Sequence, residues 1–540
     1  MAQAVKAHTG GRLVAETLEA LGAEAAFGVP GIHALAIWDG LRTSSIRSVG
    51  LRTELNAGFA ADGYARTKGW PAVLLLSTGP GALVSLAALM EAATAHVPVV
   101  AIASQIPRDL IGKGRGYLHE LPDQLASFAP VVKWGARAES AEEIPALLSD
   151  AWNEAMAPPS GPVFLEIPVD LLTEETGVSS VKGLVATPQE PPTPSADAIA
   201  EAAELLNRAE RPVVWAGGGV LRSGAWKELA ELARVLDAPV ATTYMGKGAF
   251  SADDPLSLGS ACDEVAYKEA LEEADVVLAV GTELGAETTA QYGLSFSGTL
   301  LQIDAERARI GATFPALGLV GDAHRALSAL LPHIEPKARD GAARAARVRE
   351  RIEVGLAEQD RELERALLET IREAVPPGAV TAWDMTILAY WAAAHFPVTA
   401  PRRFLYPLGS GTLGYAWPAA LGAAVALPGT PALAVVGDGG FLYGSQELAA
   451  ARQYELDVVV LVVDDGGYGI LREYQRDSFG ETYAVDLDEP DYVALAEAYG
   501  VPAERTTPGE LGAALARAFA HEGPALVHLP TFLEMWTPTE

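Results

Sequence analysis

The sequence predicts an α/β protein made of three doubly wound parallel-sheet domains, on three observations. Short β-branched runs such as PAVLLL, VPVVAIA and PVFLEIP alternate with Ala- and Leu-rich stretches of helical character, the pattern of strands joined by crossover helices. The strands are almost continuously apolar, which suits sheets covered on both faces. The chain has 540 residues, and roughly 150 residues per domain gives three to four domains.

Two stretches punctuate the chain. TPQEPPTP, at 187–194, cannot hold a helix because of its prolines and reads as a linker. The segment from Pro332 to about Gly378 differs: its middle, Gly341–Arg372, is rich in Ala, Arg and Glu. It is expected to form a solvated helix crossing between domains. The units are therefore drawn at 1–186, 195–335 and 370–540.

Thirty-nine Lys and Arg stand against 70 Asp and Glu, a net charge of −31. This argues against nonspecific binding to nucleic acid, which needs clustered cations to displace counterions, and against an anionic membrane surface. Cys262 is the one cysteine, so neither an intrachain disulfide nor a Cys-based zinc site is available. The first residues lack an apolar signal core and no apolar run reaches membrane length, so the expected compartment is the cytoplasm.

The strongest chemical signal lies in the third unit. ALAVVGDGGFLYGSQELAAARQYELDVVVLVVDDGGYGILREYQ reads as strand, tight turn, helix, strand, turn, helix. One strand, Ala432–Val436, ends at Gly437-Asp438-Gly439-Gly440; the next, Val458–Val463, ends at Asp464-Asp465-Gly466-Gly467. Glycines at the first turn let backbone N–H groups approach an anion, and the helix that follows favours phosphate. Asp438 and Asp465 are 27 positions apart, the size of a strand–helix–strand unit that returns the chain to the same sheet edge. Two oxygen ligands and a backbone carbonyl at strand ends suit a small hard cation that also takes phosphate oxygens. Either turn alone is more often plain loop chemistry; the spacing favours function.

At this point the chain resembles the thiamine diphosphate enzymes of the acetolactate synthase and pyruvate decarboxylase superfamily, whose signature is GDG followed some two dozen residues later by NN. The resemblance implies that Asp438, Asp465 and the carbonyl of Gly467 bind Mg²⁺, which anchors the diphosphate. It implies that Gly439, Gly440, Tyr468, Gly469 and Ile470 surround that diphosphate. Asp464-Asp465 departs from the family's asparagine pair; the extra carboxylate adds repulsion that a metal offsets in part.

The resemblance extends to the first unit. GLRTELNAGFAADGYAR (50–66) carries Glu54 where the family has the glutamate that hydrogen-bonds the cofactor's pyrimidine nitrogen and promotes loss of the thiazolium C2 proton. A carboxyl in a dry pocket has the raised pKa this sharing needs. The plain alternative is a helix-start glutamate paired with Arg52 or Arg66. FGVPG, with Pro30, and STGPG (77–81) match the family's cofactor loops. In SGTLGYAWPAALGAA (410–424) the resemblance assigns the Gly411 carbonyl to the cofactor's amino group and Leu413 to propping its bent shape. Thr386 falls where relatives contact phosphate. In GYLHELPDQ (116–124), Leu118 and His119 fall at the substrate; His119 replaces a glutamine and could donate a proton. Leu471 and Tyr474 line the same pocket, Tyr474 standing at the synthases' tryptophan.

The middle unit, with RPVVWAGGGV, reads as a Rossmann-like layer. Its ACDEVAYKEAL and GTELGAETT stretches lack the elements with which acetolactate synthases hold FAD, which weighs against FAD here. The resemblance thus implies a pyrimidine-binding, a middle and a diphosphate-binding domain. It also implies a homodimer or homotetramer with the active site at the subunit interface. The expected reaction is ThDP- and Mg²⁺-dependent decarboxylation of a 2-oxo acid with ligation of the remaining fragment to a second carbonyl. The alternatives are decarboxylation releasing an aldehyde, a nucleotide-dependent oxidoreductase, and a non-catalytic ThDP-binding protein.

Overall fold

The computed structural model describes residues 8–178 and 180–539. Among these residues eighteen strands form three sheets of six. The first contains β1 (Ala25–Gly28), β2 (Arg47–Gly50), β3 (Ala72–Leu76), β4 (Val99–Gln105), β5 (Trp134–Arg137) and β6 (Val163–Pro168), in the order β2-β1-β3-β4-β6-β5. The second contains β7 (Pro212–Ala216), β8 (Val240–Thr242), β9 (Ser257–Gly259), β10 (Val276–Val280), β11 (Thr299–Asp304) and β12 (Leu317–Val320), in the order β12-β11-β10-β7-β8-β9. The third contains β13 (Val380–Trp383), β14 (Phe404–Leu405), β15 (Ala432–Gly437), β16 (Val458–Asp464), β17 (Ala503–Arg505) and β18 (Ala525–Pro530), in the order β14-β13-β15-β16-β18-β17. The strands run parallel and helices connect them, so the three doubly wound parallel α/β sheets expected from the sequence are present. β3, β4, β10 and β16 are buried at every residue, as sheets with two covered faces require.

The first and third sheets have the same strand order, and the second has the dinucleotide-fold order. In the first and third, the strand order reverses between the first and third strands of the set. Ligands bind at such switch points, outside the carboxyl ends of the strands. The switch points here fall at Val29–Gly31 and Ser77–Gly81 in one sheet, and at Asp384–Thr386 and Asp438–Gly440 in the other.

Two compact units emerge. One comprises the chain up to Glu190 with Gly409–Gly429 and Gly444–Val458; the other comprises Pro191–Leu408, Thr430–Tyr443 and Val459–Glu540. The first gathers the helix Glu54–Lys68 against the helix Ala416–Ala426. Gly63 and Gly422 let these helices touch backbone to backbone: a Cβ on Gly422 would lie 1.9 Å from the Ala60 carbonyl oxygen. Beside the contact, Arg66 pairs with Asp62 at 2.6 Å and with Glu91 at 2.7 Å, and the Tyr415 hydroxyl donates to Asp62 at 2.6 Å. Glu91 in turn accepts from the backbone N–H of Ser410 at 2.6 Å.

The stretch 187–194 has no helix or strand. Gly341–Arg372, expected as one solvated helix, is two: Gly341–Ala357 and Glu362–Ala374. Each has an apolar stripe, and Ala345, Ile352, Leu356, Leu367, Leu368 and Ile371 enter a core shared with residues of both the second and third sheets. The charged composition describes their outer faces only.

Arg66 neutralises two carboxylates that are fully buried. Removing one partner of a buried ion pair leaves the other uncompensated, which costs about 3–5 kcal/mol. Arg66→Met is expected to lower unfolding free energy by about that amount in a urea titration; a loss under about 1 kcal/mol would contradict the assignment.

Candidate active site

Glu54 opens the helix Glu54–Lys68, whose N-cap Thr53 accepts from the Asn56 backbone N–H. Its carboxyl is half-buried and closes on the turn after β3: a Cβ on Gly81 would meet Glu54 Oε1 at 2.8 Å and Ser77 Cβ at 3.2 Å. Gly31, next to the exposed Pro30, touches the same Ser77. Burial pushes the Glu54 carboxyl above its ordinary range, opposed only by a backbone hydrogen bond. Neither arginine of the plain alternative pairs with it. Arg66 is committed to Asp62 and Glu91, and Arg52 reaches Gln453 at 2.8 Å and the Gly50 carbonyl at 3.1 Å.

His119 abuts the same turn, with its carbonyl oxygen 2.6 Å from where a Gly79 Cβ would stand. It holds a left-handed backbone, φ 69°, uncommon for a residue with a side chain. Its Nδ1 is buried without a hydrogen-bond partner, and its ring meets His33 edge-on at 5.2 Å. Burial and the nearby His119 charge lower the His33 pKa. Gln124 fixes the turn from behind. Its Oε1 accepts from the Gly79 N–H at 2.7 Å and its Nε2 donates to buried Glu166 at 3.0 Å. Leu118, just before His119, is exposed. Gly411 is exposed with φ 66°, and Leu413 is half-buried beyond it.

In the other unit, the ends of β13, β15 and β16 converge. Thr386 caps the helix Ile387–His395, and a Cβ on Gly437 would meet its Cγ2 at 3.0 Å; Asp384 lies against Gly440. Tyr468 packs on Gly439, where a Cβ would stand 2.6 Å from the ring. Gly467, with φ 151°, forms an isolated bridge with Asp486, and the Tyr468 N–H donates to the Val485 carbonyl at 2.8 Å. That pairing draws the following segment in, so one oxygen each from Asp438, Asp464 and Glu489 lies within 4.8 Å of the others. Ile470 is buried on the helix Gly469–Phe479, while Leu471 and Tyr474 are exposed on it.

Asp464 and Glu489 enter this cluster although sequence reasoning assigned them no ligand role. Nothing local marks Glu489; only the bridge at Gly467 delivers it. Asp465 lies close enough for its charge to couple to Asp438, and its carboxylate pairs with Arg472 at 3.1 Å. Arg472 also donates to the carbonyls of Asp465 and Gly466. Burial, then repulsion from Asp438, raises the Asp465 carboxyl to about 6, against the pull of Arg472. Burial and the hydrogen bonding and charge of Asp464 and Asp438 raise Glu489 to about 8. Burial also raises Asp438. Asp464 runs the other way: burial would raise it, but hydrogen bonds from Glu489 and from His528, at 2.6 Å, bring it below the usual range.

The donor set fits a hard divalent cation. Carboxylate oxygens crowd together, Asp438 Oδ2 is buried with no hydrogen-bond partner, and glycines line the approach. Glu54, without an ion-pair partner among the described residues, fits a group that needs a carboxyl of raised pKa. One unit thus presents a metal-competent carboxylate cluster, and the other a half-buried carboxyl of raised pKa.

Comparison with known proteins specifies the class. Residues 8–127 match the thiamine pyrophosphate enzyme N-terminal TPP binding domain, 199–330 the central domain and 384–529 the C-terminal TPP binding domain. A protein of Pseudomonas aeruginosa named as a probable 2-ketoarginine decarboxylase is 38% identical, over 98% of this chain and 95% of its own. One of Methanocaldococcus jannaschii named as a probable acetolactate synthase large subunit is 33% identical, over 96% and 91%. The acetolactate synthase isozyme 1 large subunit of Escherichia coli is 28% identical, over 97% and 94%. The chain belongs to the thiamine pyrophosphate enzyme family.

The acid cluster sets a pH dependence. Asp465 and Glu489 have raised pKa values in the fold, so the folded state holds protons that the unfolded chain releases. Their stabilising contribution is present at low pH and is lost as pH rises through about 6 and then about 8. Thermal melts of metal-free protein are expected to fall in midpoint across that window, and saturating Mg²⁺ with thiamine diphosphate is expected to flatten the slope. A flat profile without metal would contradict the reading.

Proposed function

We propose that this chain catalyses thiamine diphosphate- and Mg²⁺-dependent decarboxylation of a 2-oxo acid, with ligation of the remaining fragment to a second carbonyl. The observation that carries it is Glu54: a carboxyl of raised pKa, free of either candidate arginine, closing on the turn Ser77–Gly81. The cofactor, when bound, supplies a thiazolium carbon acid and an electron sink as CO₂ leaves.

Each residue has a role under this reading. Glu54 shares a proton with the pyrimidine nitrogen, and Pro30 contacts that ring. The Gly411 carbonyl accepts from the cofactor's amino group, and Leu413 supports its bend. Asp438, Asp465 and the Gly467 carbonyl hold Mg²⁺; Asp464 and Glu489 add anionic oxygens beside them. Backbone at Gly439, Gly440 and Gly469, with Tyr468, Ile470 and Thr386, surrounds the diphosphate. Leu118, His119, Leu471 and Tyr474 line the substrate. The segments 1–186, 195–335 and 370–540 serve as pyrimidine-binding, middle and diphosphate-binding domains.

We read the protein as a homodimer or homotetramer with the active site at the subunit interface, as the family resemblance implies and as closed homo-oligomers are the common assembly. The middle domain is read as free of FAD. Its Gly217–Gly219 turn is packed against Gly281, with a Cβ on Gly217 reaching the Gly281 oxygen at 2.3 Å, which supports a packing role for these glycines. No helix among the described residues is long and apolar enough to cross a membrane, and Cys262 is a buried free thiol. A reducing compartment such as the cytoplasm suits that composition.

A second reading, decarboxylation ending in protonation and release of an aldehyde, is favoured by His119. Its buried, unpartnered Nδ1 beside Gly79 could deliver the proton. Incubation of the holoenzyme with pyruvate and with branched, aromatic and basic 2-oxo acids, read by mass, separates ligation from aldehyde.

Glu54→Gln is expected to keep thiamine diphosphate bound while slowing deuterium exchange at its C2 by at least about a hundredfold. Exchange at the native rate would remove Glu54 from the mechanism. Asp438→Ala is expected to abolish Mg²⁺-dependent cofactor binding by calorimetry; retained binding would relocate the metal.

A further inference from the structure

The loop that carries His119 ends at Gln124, the first residue of the short helix Gln124–Phe128. Gln124 is buried, and so are the polar side chains around it: Thr78, Ser104, Gln105 and Glu166. Polar groups taken out of water persist only where each finds a partner. Here every partner has a fixed sense. Glu166 accepts from Arg137 Nε, from Gln105 Nε2 at 3.1 Å and from Gln124 Nε2 at 3.0 Å. All three are donors, so the group sits there as a carboxylate, which accepts only. Burial raises its pKa, opposed by Arg137 first and then by the two amides. Strand register supplies this carboxylate: Glu166 on β6 stands opposite Arg137 of β5 on one side and Ala103 of β4 on the other.

The carboxylate sets the direction of the Gln124 amide. Its NH₂ must face Glu166, and the same nitrogen donates to the Ser104 carbonyl at 3.1 Å. The Gln124 oxygen is then turned to the other side, where it accepts from the Gly79 N–H at 2.7 Å. Gly79 has φ 66° and ψ −111°, a conformation only glycine enters without strain. A Cβ there would stand 2.6 Å from the His119 carbonyl oxygen. Beside it, Thr78 Oγ1 lies 2.9 Å from Ser104 Oγ, a second tie between this turn and β4. Two residues on, a Cβ on Gly81 would meet Glu54 Oε1 at 2.8 Å and Ser77 Cβ at 3.2 Å. The turn Ser77–Gly81 is thus held by Gln124 at one residue and met by the Glu54 carboxyl at another.

We propose that Gln124, oriented by Glu166, is a positioning residue for Glu54: it sets the Ser77–Gly81 turn on which that carboxyl closes. The inference rests on the thiamine diphosphate chemistry proposed above and adds to it a residue that touches no reacting atom. A misplacement of about 1 Å at a proton-transferring group costs up to about a hundredfold in rate, so a small shift of the turn is measurable.

The test measures deuterium exchange at C2 of thiamine diphosphate bound to the native protein, to Gln124→Leu and to Gln124→Glu, with cofactor affinity by calorimetry and melting temperature alongside. Gln124→Leu keeps the bulk and removes both donor and acceptor. It is expected to hold the cofactor within about threefold of native affinity and, with cofactor saturating, to slow exchange about tenfold. Gln124→Glu keeps the acceptor for the Gly79 N–H and, while it shares a proton with Glu166, a donor to that carboxylate as well. Its exchange is expected to stay within about threefold of native at low pH and to fall away from the native profile as that proton is lost. A role in stability alone lowers the melting temperature and leaves exchange at saturation unchanged. Exchange by Gln124→Leu at the native rate, with cofactor saturating, overturns the proposal and leaves decarboxylation standing. If Gln124→Leu does not fold, Gln124→Glu decides: departure from the native pH profile upholds the role, and a parallel profile overturns it. A native protein that does not bind the cofactor, or binds it without exchanging C2, ends the proposed reaction and this role together.

Discussion

The chemistry of this chain is concentrated where parallel strands stop. A parallel sheet sends every strand's carboxyl end to one edge, and a reversal of chain order opens a crevice there. The register of β13 with β15, Trp383 opposite Val435, brings Asp384–Thr386 level with Asp438–Gly440. β16, ending at Asp464, delivers Asp465–Gly467 to the same edge. In the first sheet the equivalent reversal sets Gly31 against Ser77, and Gly81 against both Ser77 and Glu54. The same strand order thus places two groups of side chains with opposite chemical demands, each at the edge of its own sheet.

Those demands appear in the pKa pattern. At the third sheet Asp438, Asp464 and Glu489 crowd together, Arg472 pairs with the neighbouring Asp465, and the raised Asp465 and Glu489 carboxyls hold protons that a divalent ion would displace. At the first sheet one carboxyl, Glu54, is raised in pKa by burial. Arg66 and Arg52 are drawn off by other partners, and that diversion leaves Glu54 unpaired. Replacing the family's asparagine pair by Asp464-Asp465 is accommodated by dividing the two: Asp464 pairs with His528, and Asp465 with Arg472.

What was legible in the sequence was local. Glycine turns at strand ends and the spacing from Asp438 to Asp465 depend only on neighbouring residues, and both turns lie at the strand ends as expected. The close helix crossing at Gly63 and Gly422 gives the ADGYAR and AALGAA stretches a packing reason to exist. Glu489 could not be found this way, because a bridge between Gly467 and Asp486 brings it in. Gly341–Arg372 was misread for the opposite reason. Its charges obscured apolar stripes that only a tertiary core reveals, and the break between Ala357 and Glu362 carries no proline or glycine to announce it.

The account depends on a divalent ion held at the ends of β15 and β16. Its most direct test is an anomalous difference map from crystals of the protein grown with thiamine diphosphate and Mn²⁺ in place of Mg²⁺. The account predicts a peak bonded to Asp438 and to oxygens of the Asp464–Gly467 turn, with diphosphate oxygens completing the shell. Cofactor density without a metal peak at that edge, or a peak elsewhere in the fold, would contradict it.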